Sequence, residues 1–161
     1  MTRSVLITGA ANGLGLVISR HLWQQGYQVA MADLNLDTVT RSAQEIDPSQ
    51  QRLLPLALDI RQPQQFSDAL TQIRARFGEL DVLVNNAALT LTTPIMEIDV
   101  EEFDRVTSTN LRGTFVGCQT IGRYFSQRQQ GSIINLASLA GQNGGTASGA
   151  TMQPPRAALL R

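Results

Sequence analysis

Thr8, Gly9, Gly13 and Gly15 form T-G-x-x-x-G-x-G within the stretch Leu6-Ile-Thr-Gly-Ala-Ala-Asn-Gly-Leu-Gly15. Glycines at this spacing, with Asn12 and Leu14 between them, let backbone N–H groups at a helix N-terminus approach a pyrophosphate without Cβ clashes. Asp33, with Leu34 beside it, follows 18 residues after Gly15. A carboxylate there accepts hydrogen bonds from an adenosine ribose and repels a 2′-phosphate, so NAD is expected in preference to NADP. The alternative is a helix-capping or loop aspartate. Asp59, followed by Ile60, could bond an adenine amino group or act as N-cap for a helix opening at Pro63. Asn85 and Asn86 could be turn residues only, since asparagine tolerates turn geometry. Asn110 falls on the same helical face as Phe103 and Val106, where an amide needs a buried partner. Ser138 ends an apolar run and could polarise a substrate oxygen.

The elements that must position these residues alternate. Strands are expected at Ser4–Thr8, Tyr27–Ala32, Leu53–Leu58, Asp81–Val84 and Gly131–Ala137. Helices are expected at Leu14–Gln24, Asp37–Ile46 and Pro63–Phe77, where Phe66, Leu70, Ile73 and Phe77 recur at helical spacing. Asp99 with Glu102 reads as a capping box for a long helix reaching about Gln127, after a loop at Thr90–Ile98. This pattern predicts an α/β, Rossmann-like, doubly wound parallel sheet of five strands in the order 3-2-1-4-5. Ligands of such sheets sit beyond the strand C-termini near the switch point. Gly9, Asp33, Asp59, Asn86 and Ser138 all fall at those ends, which argues for one site.

Composition narrows the classes. The 161 residues form one domain, with 42% hydrophobic and 16% charged residues. Thirteen basic and 13 acidic residues cancel, so nothing points to nucleic acid or an anionic membrane. Cys118 is the single cysteine, which excludes an intramolecular disulfide and fits a reducing cytoplasm. The first strand starts within a few residues of Met1, leaving no room for a signal peptide, and no apolar run is long enough for a membrane span. No Cys/His cluster has metal-ligand spacing, and His21 reads as a helix-surface residue.

Taken together, Thr8–Gly15, Asp59-Ile60, Asn85-Asn86-Ala87-Ala88, Asn110 and Ile134-Asn-Leu-Ala-Ser138 resemble the short-chain dehydrogenases/reductases over residues 1–150. Ala88 stands where that family usually has glycine. The resemblance implies hydride transfer between a nicotinamide and an alcohol or ketone, with Gly9, Asn12, Gly13, Leu14, Gly15, Asp33, Leu34, Asp59, Ile60, Asn86, Ala87 and Ala88 around the cofactor. It further implies that Ser138 holds the substrate oxygen and that Asn110 anchors a water in the proton relay. A homodimer or homotetramer built through the helix around Asn110 is implied as well.

The resemblance breaks at the family's Tyr-x-x-x-Lys. Matching Ala157-Ala-Leu to what usually follows the lysine sets Met152 against the tyrosine and Arg156 against the lysine. Methionine has no proton to give, and Pro154 and Pro155 disfavour the helix that carries the pair. The family's last two strands are also expected after this point, so Ser132–Leu136 becomes an apolar sheet edge. Read one base earlier, from the third base of the Thr151 codon, the codons of this stretch permit Tyr-Ala-Ala-Thr-Lys. Residues 151–161 are therefore expected to be an out-of-frame tail, and the chain to be impaired; a diverged dinucleotide-binding module is the alternative.

Overall fold

The computed structural model describes residues 2–49 and 51–138. Five strands, β1 (Ser4–Thr8), β2 (Gln28–Asp33), β3 (Leu53–Ala57), β4 (Val82–Asn85) and β5 (Ser132–Asn135), form one sheet in the order β3-β2-β1-β4-β5. Every pairing is parallel. The order reverses between β1 and β4, so the crevice opens where their C-terminal ends part.

Side chains alternate across the sheet with period two. Leu6, Ala30, Leu56 and Leu83 face α3 (Pro63–Phe77) and α5 (Thr114–Arg128), meeting Phe66, Ile73 and Ile121. Val5, Ile7, Val29, Met31 and Val84 face the other way, toward α1 (Gly13–Gln24) and α2 (Leu36–Ile46), meeting Val39 and Ala43. β1 and β2 are covered on both faces, which is why their residues read as unbroken apolar runs. β3 lies at one edge, where Pro55 costs no ladder bond to a further strand. β5 is the other edge among the described strands, with Ile134 half exposed.

The expected long helix is not continuous. α4 (Val100–Thr107) gives way to a π-helical turn at Ser108–Gly113 before α5 begins. The hydroxyls of Ser108 and Thr109 donate to the Arg105 carbonyl, and Thr114 Oγ1 donates to the carbonyl of Asn110 at 2.9 Å. Hydroxyls that occupy helix carbonyls in this way loosen the regular ladder. Gly113 then lets the widened turn lie against Ile60, whose Cδ1 would stand 2.6 Å from any Cβ there.

The capping box forms by half. Asp99 Oδ1 accepts from the Glu102 N–H at 2.6 Å, but a Glu102 carboxylate oxygen accepts from Thr93 Oγ1 instead, at 2.9 Å. The loop expected at Thr90–Ile98 also contains one 3-10 turn, Ile95–Glu97. Strand ends differ from expectation by at most two residues, and β1 agrees at both ends. β2 runs one further and takes in Asp33, whereas β5 stops at Asn135 and leaves Ser138 beyond it.

Candidate dinucleotide-binding site

Thr8, the last residue of β1, wires the crevice. Its buried hydroxyl accepts from the N–H groups of Asn86 (3.0 Å) and Ala87 (3.1 Å) and donates to the Val84 carbonyl (3.4 Å). Asn86 Nδ2 returns the contact, donating to the carbonyls of Thr8 (2.9 Å) and Gly9 (3.1 Å). Asn86 is therefore more than a turn residue, because its amide ties the chain leaving β4 to the chain leaving β1. Asn85 is buried and donates from Nδ2 to Asn135 Oδ1 at 2.8 Å, joining β4 to β5.

This wiring sets how closely the glycine turn can pack. Gly9 sits at φ +66°, and a Cβ there would lie 2.8 Å from the Ala87 Cα. Gly15, one turn into α1, packs against the carbonyl of Gly9, so the helix enters directly above the strand end. The first N–H groups of any helix lack an intrahelical acceptor. In α1 the Asn12 side chain supplies no cap bond, and no acidic residue stands in the first turn. A Cβ at Gly13 would meet nothing within 4 Å, so these donors open onto free space. Such an opening suits a phosphate group.

The space is a groove of about 460 Å³ running across the strand ends. Its floor is the Gly9–Leu14 turn, and one end carries Asp33 and Leu34. Asp33 Oδ2 accepts from the Ala11 N–H at 3.1 Å and Oδ1 from the Asn35 N–H at 3.3 Å. The carboxylate keeps lone pairs for two vicinal hydroxyls. Asp33 does not cap α2; Asn35 does, through Oδ1 to the Thr38 N–H at 3.0 Å.

The groove wall contributed by the chain after β3 comprises Leu58, Asp59, Ile60 and Arg61. The N-cap of α3 is Gln62 and not Asp59, which corrects one of the two readings of that aspartate. Asp59 instead receives a fork from Arg61, with Nε at 2.9 Å from Oδ1 and Nη2 at 2.8 Å from Oδ2. The hydrogen-bonded Arg61 guanidinium holds the Asp59 carboxyl below the ordinary carboxylate range, against the opposing effect of burial. The far wall is Asn86, Ala87, Ala88 and Leu89, with Arg105 and Thr109 above them.

Every residue expected around a cofactor lines this groove except Gly15, which lies behind the turn. Asn110 and Ser138 are not among the lining residues. Asn110 is buried in the π-helical turn beside the Leu89 peptide, and Ser138 is half buried past β5. Met152 and Arg156 fall outside the described residues.

Sequence reasoning missed Leu58, Arg61, Leu89, Arg105 and Thr109. Arg105 and Thr109 are four apart on one helical flank, a spacing that could have linked them once Asn110 was placed. Arg61 lies two residues after Asp59, close enough to have been tried as its partner. Among the described residues, no group of three His, Cys, Asp or Glu side chains could hold a metal, and no helix is long and apolar enough to cross a membrane.

Comparison with known proteins agrees with this geometry. The family model described as short chain dehydrogenase matches residues 3–150. A sorbitol dehydrogenase of Cereibacter sphaeroides is 36% identical over 143 residues, spanning 88% of this chain and 55% of that protein. An (S)-acetoin-forming diacetyl reductase of Staphylococcus epidermidis is 32% identical over 142 residues, again spanning 88% of this chain and 55% of that protein. The crystal structure of a short-chain type dehydrogenase/reductase from Mycobacterium marinum superposes with a TM-score of 0.90 at 30% identity, covering 98% of this chain and 63% of that one. The chain thus spans about half the length of the curated relatives it matches. With the family model covering nearly all of it and the sheet order agreeing, the chain belongs to the short-chain dehydrogenase family of NAD(P)-using oxidoreductases.

Proposed function

We propose that the groove binds NAD(H), and that the chain is the dinucleotide-binding portion, residues 1–150, of an oxidoreductase interconverting an alcohol and a ketone. One observation carries the cofactor reading: the open first turn of α1 and the Asp33 carboxylate line one groove. The nicotinamide, when bound, accepts or gives the hydride. The first-turn N–H groups of α1 would hold the pyrophosphate, and Asp33 would bond the adenosine ribose hydroxyls and disfavour the 2′-phosphate of NADP. The names of the relatives, a sorbitol dehydrogenase and a diacetyl reductase, support small hydroxy or oxo compounds as the substrate class.

Ser138 would orient the substrate oxygen, and Asn110 would anchor a water in the proton path. Hydride transfer to or from carbon must be matched by a proton on oxygen. Met152 and Arg156, where the family has tyrosine and lysine, cannot supply that proton, so the chain as written binds the dinucleotide and turns over poorly. The same residues favour a second reading, a non-catalytic dinucleotide-binding module with residues 151–161 as an aberrant tail.

A cytoplasmic location and self-association into a homodimer or homotetramer belong to the same proposal. The exposed Phe103 and Phe115 on the α4–α5 flank support self-association.

Fluorescence titration with NADH and NADPH tests the cofactor reading. Tighter binding of NADH is expected, and no saturable binding of either would overturn it. Assays with NAD(H) and a panel of small alcohols and ketones test the impairment, which normal turnover would refute. Sequencing the coding DNA through codon 150 decides whether another frame restores Tyr-x-x-x-Lys.

A further inference from the structure

The far wall of the groove has few donors left for a ligand. The N–H groups of Asn86 and Ala87 donate to the Thr8 hydroxyl, and Asn86 Nδ2 donates to the carbonyls of Thr8 and Gly9. The Leu89 N–H is held by Asn110 Oδ1. Above them, the Thr109 hydroxyl donates to the Arg105 carbonyl at 2.9 Å. Arg105 is the exception on this wall. Its guanidinium has five N–H donors, and among the described residues it meets no acceptor, carboxylate or aromatic ring. Glu101 stands one turn earlier, at the spacing of a helical ion pair, yet the two form no salt bridge.

The charges around the groove give this side chain its meaning. Those lining it are Asp33, Asp59, Arg61 and Arg105. Arg61 is committed to Asp59, with Nη2 2.8 Å from Oδ2. Asp33 and Arg105 are left without an ion-pair partner among the described residues. Without Arg105 the lining would be net anionic, and a ligand carrying phosphates would enter against that charge. Placement agrees. Gly113 packs on Ile60 and seats the π-helical turn against the wall that follows β3, while α4 leads from that turn to Arg105, exposed at the rim.

We infer that Arg105 is a phosphate-binding residue, whose guanidinium closes on the pyrophosphate of the dinucleotide from the wall opposite the glycine turn. The inference rests on the proposed dinucleotide reading of the groove. The first-turn N–H groups of α1 offer a phosphate partial charges. A guanidinium adds a full charge and a planar fork that matches two phosphate oxygens. Ordering a long exposed side chain offsets part of that gain, so the effect is several-fold and not hundredfold. The other anionic group a nucleotide could bring is a 2′-phosphate, and the test separates the two.

Fluorescence titration measures NADH and NADPH binding to the full chain and to its Arg105→Gln, Arg105→Lys and Arg112→Gln variants, at low and high salt. Competition against NADH then measures ADP-ribose, which keeps the pyrophosphate, and adenosine, which lacks it. Arg105→Gln is expected to weaken NADH and ADP-ribose by about fivefold and to leave adenosine unchanged. Arg105→Lys should lose less, because it keeps the charge. NADH affinity should fall with salt more steeply in the unmodified chain than in Arg105→Gln. Arg112 lines no part of the groove, so Arg112→Gln makes the same change in net charge and should leave NADH affinity unaltered. Three results would each overturn the role of Arg105 while leaving the dinucleotide reading intact: NADH bound equally well by Arg105→Gln, an equal loss in Arg112→Gln, or a loss confined to NADPH. Absence of binding by every nucleotide to the unmodified chain would overturn both. Thermal unfolding checks each variant. Should Arg105→Gln fail to fold, Arg105→Lys and the salt dependence of the unmodified chain still decide, since NADH affinity indifferent to salt would exclude a rim cation on its phosphates.

Discussion

Asn110 and Leu89 exchange two hydrogen bonds. Asn110 Nδ2 donates to the Leu89 carbonyl at 2.8 Å, and the Leu89 N–H donates back to Asn110 Oδ1 at the same distance. A buried amide on the π-helical turn thereby holds the peptide of the chain leaving β4, the same segment whose Ala87, Ala88 and Leu89 wall the groove. Replacing Asn110 with Leu leaves both Leu89 groups without their partner. The cost expected is about 1–3 kcal/mol, read as a lower urea midpoint. The Leu89 amide should also exchange its hydrogen faster. Asn110→Asp should exceed Asn110→Leu in local loosening, since the charge is buried and the donor is lost. A Leu89 amide that exchanges unchanged would show that the pair does not hold this segment.

The Thr8 hydroxyl is the corresponding tie at the other side of the crevice. Thr8→Val keeps the shape and strands the Asn86 and Ala87 N–H groups, for an expected loss on the order of 1–3 kcal/mol. Thr8→Ser retains the oxygen and should recover most of it. NADH affinity should follow the same order, because the far wall of the groove is hung on these bonds. Chemical denaturation and fluorescence titration of the three proteins check both expectations.

Cofactor preference turns on Asp33 and its exposed neighbour Leu34. A 2′-phosphate would bring further negative charge to the Asp33 carboxylate, which Leu34 does nothing to offset. The double change Asp33→Ser with Leu34→Arg removes the repulsion and adds a guanidinium able to grip a phosphate. The ratio of NADH to NADPH affinity is expected to fall by at least about tenfold, roughly 1.4 kcal/mol. An unaltered ratio would place the ribose elsewhere.

Much of this was legible in sequence because it rests on local rules. Glycine spacing, the five apolar runs and the alternation of strand and helix are each visible in the chain, and together they determine a parallel sheet with the site at its C-terminal ends. The break at Ser108–Gly113 was not legible, because three hydroxyls competing for carbonyls leave the helical periodicity of Phe103, Val106 and Asn110 intact. Asp59 shows the same limit. Its sequence position suits an N-cap as well as a ligand contact, and only the path of the chain shows Gln62 in the capping place and Arg61 across the carboxylate.

The Asp59–Arg61 pair also predicts an acid-side effect. Its hydrogen bonds from Arg61 lower the Asp59 pKa in the folded chain relative to the unfolded one, where a carboxyl titrates near about 4. The stabilisation it contributes is therefore fully present above that value and fades as pH falls through the lower folded value. The stability difference between the unmodified chain and Asp59→Asn should stay constant from about pH 8 to about pH 5 and shrink below about pH 4. Urea denaturation at stepped pH measures it. A difference that held steady into the acid range would mean the pair does not stabilise the fold through charge.

Gly13 and Gly15 belong to one motif but fail in different ways when given a side chain. At Gly15 a Cβ would stand 2.2 Å from the carbonyl oxygen of Gly9 and 2.6 Å from Asn86 Nδ2. The first neighbour is backbone and the second is fastened to Thr8 and Gly9, so neither can retreat cheaply. Gly15→Ala must lift α1 off the strand end, at a cost of about 1–3 kcal/mol, and it should move the first-turn N–H groups away from the groove as well. At Gly13 a Cβ meets nothing within 4 Å, and the penalty comes only from its φ of +53°. Alanine there should cost about 1–2 kcal/mol, and asparagine, which tolerates the left-handed region, less. Yet any side chain at Gly13 projects into the space expected to hold phosphate. Gly13→Asn should therefore lose NADH affinity with little loss of stability, whereas Gly15→Ala should lose both together. Measuring unfolding midpoint and NADH affinity on the two variants separates the steric role of Gly15 from the ligand-facing role of Gly13. Parallel losses in both would leave the open first turn of α1 without a phosphate to explain it.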